Sequence, residues 1–497
     1  EQAKKKSAFN EDGLQKKIEL HIQEIQEIYL SDAIPWVVGY SGGKDSTAAL
    51  QLVWLALKEL APTDRHKPVY VITNDTLVEN PIVALWVEKS LSAIKAAAED
   101  QNLPIIPHRM TPEVQDTFWV KLIGMGYPAP RPKFRWCTSR LKIDPTSKFI
   151  GEVVQQNEQA IVVLGTRRAE SSARAHVIDT HAKNRTREHL NKHSSLPSAY
   201  IYSPIADWFN DDVWTFLMQF QNPWGHSNKE LLTMYQGATD GGECPLVIDT
   251  NTQSCGSSRF GCWTCTLVDK DRSMEAMIQN DEEKEWMLPL LELRNAMDFR
   301  AMGEEGDKPL RDFRRMSGHV QLNGDEVIRG PYIQKVREKW LRMLLEAQKW
   351  IRENGPEEVR AINLVTLEEL REIRRIWVMD KHEIEDNLPL IYEEILGEPF
   401  PDGHSYRTAG LGRDEMHILK ACCDGNTLHY ELVRELLHIE KSYNTMTRRA
   451  GLFGKLEKAL EKGFYEGKED ATQRALEKRE AEEKAENEAA YISAQTY

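Results

Sequence analysis

One seven-residue stretch constrains this 497-residue chain more than any other. Ser41-Gly42-Gly43-Lys44-Asp45-Ser46-Thr47 follows a short apolar run, Pro35 to Tyr40, and precedes Ala48, Ala49, Leu50, Leu52, Val53, Leu55 and Ala56. The run reads as a buried strand, and the residues after the turn as a helix packed on a sheet. Glycines at such a turn let the backbone approach an anion, and the helix N-terminus offers free N–H groups at the positive end of its dipole. Ser41, Ser46 and Thr47 add hydroxyl donors and Lys44 adds a charge. The spacing G-x-x-x-x-G-K-[ST] is missing, so this is a different phosphate loop from the Walker type. Asp45 would repel a triphosphate unless it held Mg²⁺ or capped the turn. The plainer alternative is a glycine turn of an ordinary α/β fold.

The strand–helix pattern recurs. Val69–Thr73, Leu103–Pro107 and Ile161–Gly165 read as further strands, with a helix over 80–100. Alternation of this kind predicts an α/β fold, a twisted parallel sheet with helices on both faces. Ligands in such sheets bind outside the carboxyl ends of the strands, which directs attention to residues near 41 and 165. An amphipathic helix is expected over 10–30. Beyond about 275 the text turns helical. Ile333, Val336, Trp340, Met343, Leu344, Ala347 and Trp350 form an apolar stripe, and Thr366 with Glu369 a capping box. Four regions follow: an N-terminal helical segment (1–32), the α/β domain (33–275), a helical C-terminal domain (276–465), and a charged tail (466–497), helical or disordered.

The formal charge of −14 excludes a protein that coats nucleic acid nonspecifically. It leaves room for local basic faces. Residues 131–142 hold five basic residues and no acid, and 167–192 hold seven against three acids. These read either as a phosphate-binding face or as solvated loops. No apolar run is long enough to span a membrane, and the first residues lack a signal-peptide core, so a cytoplasmic location is the expectation.

Of seven cysteines, four are spaced C-x10-C-x6-C-x2-C: Cys244, Cys255, Cys262 and Cys265. Thiolates at this density bind zinc or an iron–sulfur cluster, and spacing alone favours zinc. Cys137 lies in the basic stretch 131–142. Neighbouring cations lower a thiol pKa, which makes Cys137 a candidate sulfur carrier or nucleophile; otherwise it is a small buried hydrophobe. Cys422-Cys423 reads as core packing of a helix.

Four ordered segments carry a resemblance. SGGKDS (41–46) resembles the pyrophosphate loop of the N-type ATP pyrophosphatases. VYVITNDTLVENP (69–81), LGTRRAESSAR (164–174) and YSPIADWFNDDVW (202–214) resemble segments of the phosphoadenosine phosphosulfate (PAPS) reductase family. The resemblance covers about residues 33–275 and implies an adenine nucleotide alpha-hydrolase-like fold that cleaves ATP to AMP and pyrophosphate. It implies ATP and Mg²⁺ contacts from Ser41 to Thr47, Asp75, Arg167, Arg168, Glu170 and Arg174, with Lys44, Asp45, Arg167 and Arg174 acting on the phosphates. GCWTCT (261–266) resembles a segment that ligates a [4Fe–4S] cluster in the family, whose further ligands come from an upstream Cys-Cys pair. Here that place holds only Cys137, so either Cys244 and Cys255 complete the set and leave Cys137 free, or Cys137 is itself a ligand. The family's C-terminal E-C-G-[IL]-H motif is missing from the sequence, which argues against sulfonucleotide reduction.

RFGCWTCTLVDKDRSMEAMI (259–278), GPYIQKVREKWLRMLLEAQ (330–348) and RRAGLFGKLEKAL (448–460) resemble the DndC-type sulfurtransferases of bacterial DNA phosphorothioation. That resemblance implies DNA as acceptor, a cysteine desulfurase as sulfur source and further proteins of the phosphorothioation complex as partners. The alternatives are a sulfonucleotide (PAPS/APS) reductase or RNA-thiolating enzyme of the same superfamily, and a non-catalytic nucleotide-binding scaffold of a sulfur-transfer complex.

Overall fold

The computed structural model describes residues 7–172, 175–176, 178–179, 185–187, 189–193, 196, 198–238, 260–324, 326–403, 411–444 and 446–495, and within these the side chains of 185–187 and 486–495 are not described. The chain divides into two compact units. The first comprises 1–116, 130–294 and 351–362, and the second 117–129, 295–350 and 363–497.

The first unit is built on a seven-stranded sheet. Strands β1 (Trp36–Gly39), β2 (Val69–Asn74), β3 (Ile105–Met110), β4 (Ala160–Val163), β5 (Arg185–Arg187), β6 (Leu190–Lys192) and β7 (Ala199–Tyr202) lie in the order β3-β2-β1-β4-β7-β6-β5. β3, β2, β1, β4 and β7 run parallel. β6 is antiparallel to β7 and β5 to β6, so the expected parallel sheet carries an antiparallel edge.

Side chains alternate across each central strand, as a two-residue period requires. Trp36, Val38, Val69, Val71, Ile161 and Val163 face one core, with helices α1 (Leu14–Leu30), α2 (Lys44–Glu59) and α3 (Pro81–Asp100). Val37, Ile72, Ala160 and Val162 face the other, where α4 (Asp144–Asn157) contributes Ile150 and Val153. Helices therefore cover both faces. α5 (Asn210–Gln219) and α6 (Asn228–Gly237) complete the first face with Trp214 and Tyr235.

The second unit is largely helical. The capping box forms as read: the Glu369 carboxylate accepts from Thr366 N at 2.8 Å, and Thr366 Oγ1 accepts from Glu369 N at 3.1 Å. Buried Trp119 donates to the Leu364 carbonyl at 2.7 Å and Trp377 to that of Ile123 at 2.8 Å. These bonds tie 117–129 into this unit, although that segment interrupts the α/β domain in sequence. The charged tail is helical over Lys468–Gln495. One expectation is corrected: Cys422 is exposed at the end of its helix, and Cys423 is only partly buried, so this pair does not fill a core. No described helix is long and apolar enough to cross a membrane.

Candidate functional site

The strand order reverses at β1. β2 and β3 lie to one side and β4 to the other, so the loops leaving β1 and β4 flank a crevice at the carboxyl edge of the sheet. A cavity of about 460 Å³ opens there, lined by Ser41, Asp45, Ser46, Asp75, Gly165 and Glu170 among others. The two glycine-bearing strand ends singled out from the sequence therefore meet.

Backbone packing explains the glycines. Gly42 has φ +73°, in the left-handed region, and a Cβ there would stand 2.6 Å from Val87 Cγ2. A Cβ on Gly165 would stand 2.5 Å from the Asp45 carbonyl oxygen. The loop is also bonded internally. Ser41 N donates to Ser46 Oγ at 3.1 Å, and Ser46 Oγ donates to the Gly43 carbonyl at 3.0 Å. From α3, Trp86 Nε1 donates to the Gly42 carbonyl at 3.0 Å. At the head of α2, Lys44 N donates to the Tyr235 hydroxyl at 3.3 Å, and Lys44 Nζ lies 5.5 Å above the Tyr235 ring. Thr47 is buried in the first turn of α2.

Asp45 is neither loose nor repelling. Its Oδ2 pairs with Lys44 Nζ at 3.0 Å and its Oδ1 accepts from Arg167 Nε at 2.7 Å. Arg167 is 4% exposed and also donates to the Trp208 carbonyl at 3.3 Å. Two cations against one carboxylate leave a net positive charge beside the cavity. Arg168 turns elsewhere, pairing with Asp179 at 2.9 Å and with Asp207. Glu170 lines the cavity; Arg174 lies outside the described residues. Asp75 Oδ1 caps a turn by accepting from Leu77 N at 2.9 Å, and Oδ2 accepts from Arg109 Nε at 2.9 Å.

The cysteine side adjoins this cavity. Glu79 and Lys142 line it, and Glu79 forms a bridge with Cys262 in the backbone. Thr76 Oγ1 lies 3.3 Å from Cys262 Sγ, and Lys142 Nζ lies 3.7 Å from Glu79. The Lys142 ammonium is held above its ordinary pKa by Cys262 foremost, then by Glu79, Cys265 and Cys137. Lys142 thus couples electrostatically to Cys137, Cys262 and Cys265. Cys244 and Cys255 lie outside the described residues, and among the described residues no three Cys, His, Asp or Glu side chains converge on a metal-sized point.

Cys137 departs from the electrostatic expectation. Burial pushes its thiol up, Cys265 pushes it further, and Lys142 only partly offsets them. Two of the basic residues after it in sequence are engaged with acids: Arg140 lies 3.8 Å from Asp116 and 3.4 Å from Asp144, and Lys142 lies 3.7 Å from Glu79. Cys137 stands where a wide π turn, Thr138–Ile143, begins. Cys262 is pushed well above its usual range by burial and by Glu79. A buried thiol beside a carboxylate is poorly placed to ionise alone. Soft thiolate donors suit zinc or an iron–sulfur cluster, whose positive charge would offset that penalty, so the donor chemistry fits such a group.

Sequence reasoning missed Arg109, Trp86 and Tyr235, which carry no motif, and gave no role to Glu79 and Lys142, although each lies in a segment singled out above; each reaches the site from a different element. The π turn following Cys137 leaves no sequence signature.

Residues 35–267, just under half of the chain, match the model of the phosphoadenosine phosphosulfate reductase domain. An uncharacterised protein of Methanocaldococcus jannaschii is 26% identical over 200 residues, 40% of this chain. The match spans only 35% of that relative's length. Among solved structures, a phosphoadenylyl-sulfate reductase of Candida auris in a phosphate complex shares 12% identity over 41% of this chain and 85% of its own, at a TM-score of 0.27. A U34-tRNA thiolase of Methanococcus maripaludis with its [4Fe–4S] cluster shares 12% over 57% of this chain and 80% of its own, also at 0.27.

Proposed function

We propose that the chain is an ATP-dependent sulfurtransferase, in which ATP occupies the cavity at the β1–β4 crevice and is cleaved to AMP and pyrophosphate. The observation that carries this reading is the meeting of the Ser41–Thr47 loop with Arg167 beside the cysteine segment. The loop N–H groups, Lys44 and Arg167 hold the leaving pyrophosphate and neutralise the charge that develops on it. Mg²⁺ would be held by cavity carboxylates such as Asp75 and Glu170, and would balance the polyphosphate charge.

The proposed acceptor is a DNA backbone phosphate. Its non-bridging oxygen attacks the α-phosphorus of ATP and expels pyrophosphate. A desulfurase takes sulfur from cysteine as a persulfide, a thiol reductant releases it as hydrosulfide and is oxidised to its disulfide, and the hydrosulfide then attacks the adenylated phosphorus. AMP departs with the original oxygen, and the phosphorothioate remains. Cys262 and Cys265, joined by Cys137 or by Cys244 and Cys255, would hold a [4Fe–4S] cluster or zinc; when bound, the group supplies a soft, positively charged centre for thiolates. The exposed part of 131–142 provides cations for DNA, and the helical second unit is the proposed docking surface for partner proteins.

The test uses full-length protein, ATP, Mg²⁺, duplex DNA, cysteine, desulfurase and a thiol reductant, with AMP and nuclease-resistant phosphorothioate dinucleotides quantified. Both products are expected, and both are lost in Lys44→Ala. Nucleotide binding without AMP formation in the complete system would mean a scaffold. Sulfite release from a sulfonucleotide, or thiolated RNA, would move the protein to another reaction of the superfamily. Anaerobic preparations are expected to hold iron and acid-labile sulfide in equal amounts; zinc without sulfide would overturn the cluster assignment.

A further inference from the structure

The second unit holds a cavity of its own, about 330 Å³, remote in function from the nucleotide chemistry. Its lining is rich in charge, and most of that charge is already matched. Arg314 pairs with Asp312 at 2.7 Å and with Glu431 at 2.5 Å. Arg337 pairs with Glu383, both almost fully buried, and Arg434 pairs with Glu385 at 2.8 Å. Asp380 is taken by Arg375 at 3.1 Å, and Glu435, 3.6 Å from a neutral His382, has Lys462 as the foremost of the cations acting on its carboxyl, ahead of Arg314 and Arg434.

Three lining cations remain: Arg315, Lys381 and Lys462. Among the described residues none of their charged ends has a carboxylate within 4.0 Å; Arg315 donates only to the Arg329 carbonyl, at 2.9 Å. Lys462 is exposed and packs over Gly318 in the turn 315–318. Lys381 is the costly one. Burial foremost, then Arg337, push its amine down to about 8, and Glu383, Asp312 and Asp380 do not restore it. A partly desolvated ammonium without a counter-ion is unfavourable unless a ligand supplies one. The backbone beside it is strained as well. His382 has φ +57°, and Glu383 N closes the turn by donating to the Trp377 carbonyl at 2.9 Å.

We propose that this cavity is a phosphate-binding site, with Lys381, Arg315 and Lys462 as its ligands. The three donors come from three separate elements: the 315–318 turn, the segment after Ile376–Asp380, and the last turn of the helix Leu452–Gly463. Donors converging from several directions suit a tetrahedral oxyanion, whereas one planar carboxylate is better served by a single guanidinium fork. The phosphate comes either from a small molecule or from a nucleic-acid backbone, which the same chemistry would recognise.

The test is competitive acetylation of the full chain, read lysine by lysine by mass spectrometry across pH 6–10. It is run alone, with inorganic phosphate, with a short DNA duplex, and with sodium chloride at matched ionic strength. A bound anion returns Lys381 toward an ordinary lysine pKa. A rise of about one pKa unit cuts its labelling about tenfold below the midpoint. Protection by phosphate supports a small-molecule ligand, and protection by the duplex alone supports a backbone ligand. Arg315→Gln should abolish either effect. Labelling of Lys381 that neither probe changes, or that chloride suppresses equally, overturns the proposal.

Discussion

Arg167 Nε donates to Asp45 Oδ1 at 2.7 Å, joining the loop after β4 to the first turn of α2 across 122 residues. This bond resolves how a carboxylate tolerates a phosphate loop: Asp45 is shared between Arg167 and Lys44, and the trio stays net positive. Arg167→Ala should leave a largely buried Asp45 with one cation. The expected result is a stability loss of about 2 kcal/mol and weaker nucleotide binding. Asp45→Asn should weaken binding too, and the double variant should lose less than the sum, as a thermal-unfolding and binding cycle would show. Strict additivity would mean the pair is not coupled.

The close approach at Gly165 gives a sharper contrast. Gly165→Ala places a methyl 2.5 Å from the Asp45 carbonyl, so the α2 head must shift. Nucleotide binding should fall by at least an order of magnitude. Gly151→Ala, in α4 with nothing within 4 Å of its Cβ, should leave binding unchanged and stabilise by about 0.5–1 kcal/mol. Equal effects of the two on binding would contradict the loop geometry.

Acid should loosen the second unit through its histidine pair. His382 Nδ1 lies 2.7 Å from His438 Nδ1, and burial foremost, then His438, push His382 down to about 4 from 6.5. A depressed histidine favours the neutral form in the folded state. Its contribution is therefore fully present above pH 6.5 and is lost as pH falls from 6.5 toward 4. Unfolding measured over that window should show stability dropping by about 2 kcal/mol, with a shallower slope in His382→Asn. An unchanged slope would place the acid sensitivity elsewhere.

Thiol reactivity should rank by environment. In metal-free, reduced protein, iodoacetamide should modify exposed Cys422 first, while Cys137 and Cys262, both held up in pKa by burial, react far more slowly. Peptide mapping over time reads this directly. Fast labelling of Cys137 would restore the low-pKa carrier suggested by its basic sequence neighbours.

Local information in the chain was enough for much of this protein. The glycine loop, the short apolar runs that hold Val37, Val38, Val69, Val71, Ile161 and Val163, and the Thr366–Glu369 box are short-range patterns, and each forms where its own composition or spacing dictates. Other features exist only because distant segments meet. The antiparallel edge β5–β6, the Arg109 pairing with Asp75, and the electrostatic coupling of Lys142 to Cys137, Cys262 and Cys265 depend on strand order and on which face each strand presents. So does the membership of 117–129 in the second unit, through Trp119 and Trp377. Sequence alone determined the strand–turn–helix with its glycine turn, because backbone N–H geometry and glycine freedom are local. Only the tertiary structure decided which charges remain unmatched, because a carboxylate is neutralised by whichever cation the fold brings within reach.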